Sequence, residues 1–128
     1  MTECRSINPM QLPRRLLVTM AMLAAVAPVL ADDPFVLDGN TESGKEQYQM
    51  HCASCHGDRA HGDGAWAGAY EPPPSDLTRE GLDPERLFLA TRDGGMAVGM
   101  RATMPAFRHT LDEQSIHDIV AYIKSLDH

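Results

Sequence analysis

Cys52-Ala53-Ser54-Cys55-His56 decides how this chain is read. Two cysteines three apart, with a histidine directly after the second, form the attachment signature for a c-type haem. On a helical turn, positions i, i+3 and i+4 share one face. Cys52, Cys55 and His56 can then point at the same flat object. The thiols can add to the haem vinyl groups as thioethers, and the imidazole of His56 can bind the iron. The rival readings are a disulfide, half of a zinc site or a thioredoxin-like redox pair. Zinc needs two more ligands at matching spacing, and no second cysteine pair exists. A thioredoxin-like site needs a βαβ pattern around it, and the flanking sequence offers none.

Outward from this stretch, the N-terminus reads as a secretory signal over residues 1–31. Arg5, Arg14 and Arg15 make a positive region, and Leu16 to Leu30 is apolar and uncharged. Val29-Leu30-Ala31 supplies small residues for cleavage before Asp32. The apolar run is short of the roughly 20 residues a membrane span needs, and Pro28 interrupts it. An uncleaved anchor is the alternative. Cys4 precedes the apolar run and leaves with the signal. The expected location is the periplasm, with no stable membrane insertion after cleavage.

Cleavage leaves 97 residues, with 8 basic against 17 acidic side chains and a formal charge of −9. Nucleic acid and anionic membranes are poor partners for such a surface. Only 5% of the chain is aromatic, so a domain this small builds a modest core by itself. A tethered haem supplies an apolar body to pack around.

Residues 32–41 carry Asp, Pro, Gly and Asn without periodicity and read as an N-terminal surface arm. The domain proper is expected over residues 42–128. Glu42 to His51 holds good helix formers, with Gly44 and Tyr48 on one face. Glycine inside a helix costs about 1 kcal/mol relative to alanine; a close helix crossing would explain Gly44. Gly57 to Gly81 is glycine-rich and contains Pro72-Pro73-Pro74. Structureless connections this long are uncommon unless functional, and wrapping a haem edge is such a function. The prolines should run extended and wall a pocket. Trp66 and Tyr70 are placed to pack on the porphyrin or on the loop itself.

Asp83-Pro84-Glu85 starts a second helix, with an N-cap, a proline at the first position and an acid in the first turn. Gly94 or Gly95 ends it. Gly94 to Thr110 is irregular and contains Met96, Met100 and Met104. Pro105 biases Met104 to an extended backbone, which can hold its side chain out towards a metal. Met96 and Met100 default to core filling. Thr110-Leu111-Asp112-Glu113 matches a capping box. Ile116, Ile119, Val120 and Ile123 then recur at helical spacing. His51, His61, His109, His117 and His128 read as surface residues. His109 is the replacement ligand should Met104 fail. Arg59, Arg101 and Arg108 flank the haem-facing loops, where one of them can reach a haem carboxylate.

These pieces in this order resemble the class I cytochromes c, the small single-haem electron carriers of the bacterial periplasm. The match runs from about Glu42 to Leu126. It is carried by Gly44 with Tyr48, Cys52-Cys55-His56-Gly57, Met104-Pro105 and the terminal helix with Tyr122. The resemblance implies an all-α fold of three main helices whose long loops wrap one haem c. It implies attachment through Cys52 and Cys55, with His56 and Met104 as axial ligands. It implies electron relay between a dehydrogenase or bc-type complex and an oxidase or reductase, and not catalysis by this chain. The acidic charge departs from lysine-ringed relatives and points to redox partners with a basic docking surface. A monomer is expected. The alternatives are a haem c subunit of an oxidoreductase complex and a haem gas-binding or sensor protein.

Overall fold

The structure is a computed structural model and describes residues 34–126. The expected signal segment, its cleavage point, Cys4 and His128 lie outside these residues. Among the described residues there are helices and turns but no strand, as expected for an all-α chain. Helix α1 spans Thr41–His51, α2 Ala53–His56, α3 Pro84–Asp93 and α4 Glu113–Ser125. Short 3-10 turns lie at Ala67–Ala69 and Gly95–Val98. The helices α1, α3 and α4 are the three main ones, and α2 is the single turn that carries the Cys-x-x-Cys-His stretch.

The first and last helices make the frame. Gly44 of α1 lies so close to the backbone carbonyl of Asp118 on α4 that a Cβ there would overlap it. A side chain at position 44 would hold the two backbones apart, so the glycine sets the crossing. Around it, Tyr48, Ile116, Ile119 and Val120 are almost fully buried. The ring centroids of Tyr48 and Tyr122 are 5.3 Å apart. Phe88 brings α3 into the same core.

The helix ends follow the chemistry of their caps. Asn40 caps α1, its side chain accepting from the amides of Glu42 and Ser43 at 2.9 and 3.0 Å. Asp83 caps α3 by accepting from the Arg86 amide at 3.1 Å, with Pro84 in the first turn. Gly94, with φ 86°, closes that helix. At α4 the sequence expectation needs correction. The N-cap is Asp112, not Thr110: its carboxylate accepts from the Ser115 amide at 2.7 Å. Thr110 and Leu111 instead close a turn onto the Phe107 carbonyl, both at 2.8 Å, so the helix begins after that turn.

Residues 34–40, read as a surface arm, have no helix but lie along α4. The Asn40 amide donates to Asp118 Oδ1 at 2.7 Å, and Gln114 Nε2 donates to the Asp38 carbonyl at 2.8 Å. Phe35 stacks on the His117 ring at 5.5 Å, and Phe88 approaches the same ring at 4.6 Å. His117 is therefore half-buried between two phenylalanines and is not the surface histidine expected. The pattern on α4 placed it beside the apolar stripe, but only the returning N-terminal segment covers it.

Candidate haem site

The turn α2 is built to face one way. The amides of Cys55 and His56 donate to the Cys52 carbonyl at 3.1 and 2.9 Å, and the Gly57 amide donates to Ala53 at 2.8 Å. The chain then doubles back over the end of the turn. The amides of Gly62, Gly64 and Trp66 donate to the carbonyls of His56, Cys55 and Ser54 at 2.7, 3.1 and 2.9 Å. Carbonyls that a helix end leaves unpaired are thus satisfied by the following loop. Gly64 must be glycine for this, because a Cβ would stand 2.5 Å from the Ser54 carbonyl oxygen and 2.6 Å from that of Ala53. From behind, the buried Tyr48 hydroxyl donates to the Gly57 carbonyl at 2.8 Å, tying the turn to α1.

Cys52, Cys55 and His56 line one cavity of about 520 Å³, within the roughly 300–1,000 Å³ common for cofactor pockets. Met104 lines the same cavity, as do Met100, Trp66, Tyr70 and Pro72 to Pro74. The loop read as a haem wrap therefore walls it. Trp66 borders the cavity yet is 62% exposed, so it stands at the rim. Met104 is brought there by backbone pairing. Its carbonyl accepts from the Gly95 amide at 3.1 Å, and the amides of Phe107 and Arg108 donate to Thr91 and Arg92 at 3.0 and 3.1 Å. The loop after Met104 is thus laid against the end of α3. Met96 is 70% exposed and absent from the cavity wall. The expectation of a core-filling role for it does not hold, since the 3-10 turn points it outward.

Burial keeps the Cys52 thiol protonated and the His56 imidazole neutral, and the neutral imidazole suits metal ligation. Both cysteines are free thiols. Burial, reinforced by the neighbouring Cys55, pushes the Cys52 thiol up to about 12. Burial lowers the His56 imidazole below its ordinary value, partly opposed by a hydrogen bond to the Ser75 carbonyl. His56 Nδ1 lies 2.9 Å from that carbonyl oxygen. A carbonyl can only accept, so Nδ1 carries the proton and Nε2 keeps its lone pair. This carbonyl support is the usual device for orienting a histidine that binds a metal. Two free thiols, a neutral imidazole and a thioether on one apolar cavity fit a c-type haem. Among the described residues, no group of three or more His, Cys, Asp or Glu side chains could hold a separate metal ion.

Other sequence candidates separate cleanly. His51 lines the cavity and meets the Phe107 ring edge at 6.2 Å; it is not a free surface residue, because Phe107 folds over it. His61 lies beside Thr78 and Asp76 at the surface. His109 is exposed, 3.3 Å from Arg108 Nε. Of the three arginines, Arg101 lines the cavity. Arg108 pairs with Asp93 at 2.8 Å, alongside Arg92 at 2.7 Å. Arg59 is not among the lining residues. Sequence reasoning missed Ser75, whose carbonyl orients His56. A backbone acceptor leaves no signature in residue type. It also missed Arg79 and Arg86, which border a second cavity next to His56.

Comparison with known proteins agrees with this geometry. The family described as "Cytochrome C oxidase, cbb3-type, subunit III" matches residues 39–123. Cytochrome c-554(547) of Halothiobacillus neapolitanus is 31% identical over 94 residues, covering 69% of this chain and 98% of the relative. In a solved structure, the Kuenenia stuttgartiensis reducing HAO-like protein complex, one chain superposes with a TM-score of 0.55 at 25% identity, over 69% of this chain and 44% of that one. This chain therefore spans less than half of that subunit. The KustC0563 c-type cytochrome superposes with a TM-score of 0.50 at 19% identity, covering 66% of this chain and 98% of the other; that likeness shows the fold alone. With the family matched over most of its length and a cytochrome relative matched almost end to end, this chain belongs to the c-type cytochromes, haem c proteins with an electron-transfer role.

Proposed function

We propose that this chain is a periplasmic single-haem electron carrier. In this reading one haem c is attached through Cys52 and Cys55, with His56 and Met104 as axial ligands. The observation that carries it is that these four side chains line one apolar cavity. When bound, the haem supplies a reversible one-electron couple, raised in potential by methionine paired with histidine. The protein does the rest. The Ser75 carbonyl fixes the His56 tautomer and ring plane. The Tyr48 hydroxyl and the loop over α2 hold the two thiols in place. Met104 would supply the second ligand to the haem iron, which would leave no open site for a substrate. Trp66 and the proline wall cover the edge and limit water.

Export by residues 1–31 is part of this reading, supported by the arginines before an apolar run. Among the described residues no helix is long and apolar enough to cross a membrane. The partners are redox proteins, a dehydrogenase or bc-type complex on one side and an oxidase or reductase on the other. The formal charge of −9 left after cleavage favours a basic docking surface on them.

Expression with the first 31 residues, in a host that matures c-type cytochromes, tests the proposal. The periplasmic protein should be red, with the mass of the peptide from Asp32 plus one haem. A colourless product of bare peptide mass overturns it. Slow or absent carbon monoxide binding by the reduced form separates the carrier from a gas-binding protein. A second reading, a haem c subunit of an oxidoreductase, is favoured by the description of the matching family. Co-purification with a catalytic chain at high salt would establish it.

A further inference from the structure

The loop that carries Met104 is fastened to the end of α3. Carbonyls in the last turn of a helix lack partners within it. Those of Thr91 and Arg92 accept instead from the amides of Phe107 and Arg108, at 3.0 and 3.1 Å. The Met104 carbonyl itself accepts from the Gly95 amide at 3.1 Å. Gly94 lets the loop come this near, since a Cβ there would stand 3.1 Å from the Met104 carbonyl oxygen and 3.2 Å from the Ala106 nitrogen.

An acidic side chain spans the same seam. Asp93, the last residue of α3, uses both of its carboxylate oxygens. Oδ2 accepts from Arg92 Nε and Nη2 at 3.0 and 2.7 Å, and Oδ1 accepts from Arg108 Nη1 at 2.8 Å. Arg92 belongs to α3, and its guanidinium lies 5.3 Å from the ring centroid of Phe88, which is part of the core. Arg108 belongs to the loop, four residues after Met104. The Asp93 side chain is 19% exposed against 52% for Arg108, so the carboxylate is the sheltered end of the pair. Hydrogen bonds from Arg92, and then from Arg108, hold that carboxyl below its ordinary value. An isolated surface ion pair is worth little, but here two guanidinium groups share one carboxylate as a network.

We propose that Asp93 is a positioning residue for the Met104 thioether: through Arg108 it clamps the Met104 loop to the end of α3. The inference rests on the reading of Met104 as the second axial ligand. Lifting of the loop would take the thioether away from the iron. The backbone bonds at Thr91, Arg92 and Gly95 set where the loop lies, and the clamp sets how often it lifts. Arg108, which the sequence placed beside the haem-facing loops, then acts on the ligand from outside the cavity.

The test uses the haem-loaded protein in its reduced form and carbon monoxide as the probe. Carbon monoxide competes with Met104 for the iron and is uncharged, so its binding rate reads loop lifting without electrostatic steering. Asp93→Asn and Arg108→Gln should each speed binding about fivefold. Amide hydrogen exchange at Phe107 and Arg108 should quicken in step. The double variant should be no faster than the quicker single one, because each change removes the same clamp. Arg108→Lys keeps a cation and should stay near the parent rate. Salt raised to about 1 M should speed the parent and leave the double variant unchanged, since it screens the pair. If Asp93→Asn takes up no haem, Arg108→Gln against Arg108→Lys carries the comparison. Parent rates in both single variants, or single effects that multiply in the double, overturn the proposal. A parent protein whose oxidised form lacks the weak red sulfur-to-iron absorption would instead remove the reading of Met104 on which it rests.

Discussion

His56 Nδ1 and the Ser75 carbonyl oxygen lie 2.9 Å apart, and they join the single-turn α2 to the proline-rich loop nineteen residues later. The contact fixes which imidazole nitrogen faces the cavity. Met104 lines the same cavity and is the proposed second ligand.

Met104→Ala should therefore abolish the weak red sulfur-to-iron absorption of the oxidised protein and let the reduced form bind carbon monoxide rapidly. Met100→Ala should keep the band, although Met100 borders the same cavity. Absorption spectra of the two variants decide this. Retention of the band in Met104→Ala would show that another thioether is the ligand.

Gly44→Ala should destabilise the protein by about 3 kcal/mol, because the new methyl overlaps the Asp118 carbonyl and α1 must lift from α4. Gly68→Ala serves as the control. Nothing lies within 4 Å of the Cβ it would add, so a change within about 0.5 kcal/mol is expected. Denaturant titration of both variants measures the difference.

Asp118 should make stability depend on acid. Burial opposes its ionisation, but the Asn40 amide, Gln114 and Ser43 outweigh that and leave the carboxyl below its ordinary value of 3.8. A carboxyl depressed in the folded state adds stability above its unfolded value, and that stability is lost as pH falls through the folded value. Asp118→Ala should cost about 1–3 kcal/mol at neutral pH by leaving the Asn40 amide unpaired. It should also flatten the acid limb of melting temperature against pH relative to the parent. Parallel limbs would show that Asp118 contributes none of it.

Electron exchange with a basic redox partner should slow steeply with salt. Without residues 1–31 the chain carries a formal charge of −9. The screening length falls from about 30 Å at 0.01 M to about 8 Å at 0.15 M, so a tenfold or larger drop in association rate is expected. Stopped-flow rates over that range would show it. A flat profile would reject electrostatic steering.

Much of this protein could be read before any coordinates. The Cys52-Cys55-His56 spacing, the proline after Met104 and the 3.6-residue period of Ile116, Ile119, Val120 and Ile123 are local patterns. Each is set by covalent geometry or helix periodicity within a few residues, and each corresponds to a feature of the structure. Gly44 gave a long-range hint, because a glycine inside a good helix needs a reason, and the Asp118 carbonyl is that reason.

What only the tertiary structure decided involves partners far apart in the chain. Nothing in residue identity marks the Ser75 carbonyl as the support for His56, since every residue offers a carbonyl. His117 sits inside a stripe edge that looks solvated until Phe35 returns across it, 82 residues away in the chain. Thr110 satisfies a capping rule, yet the turn closed on Phe107 hands the cap to Asp112. Arg79 and Arg86 came to the second cavity only when the loop and α3 folded against the same wall. Local pattern determines what a segment can be. Loop closure and packing determine which side chains meet.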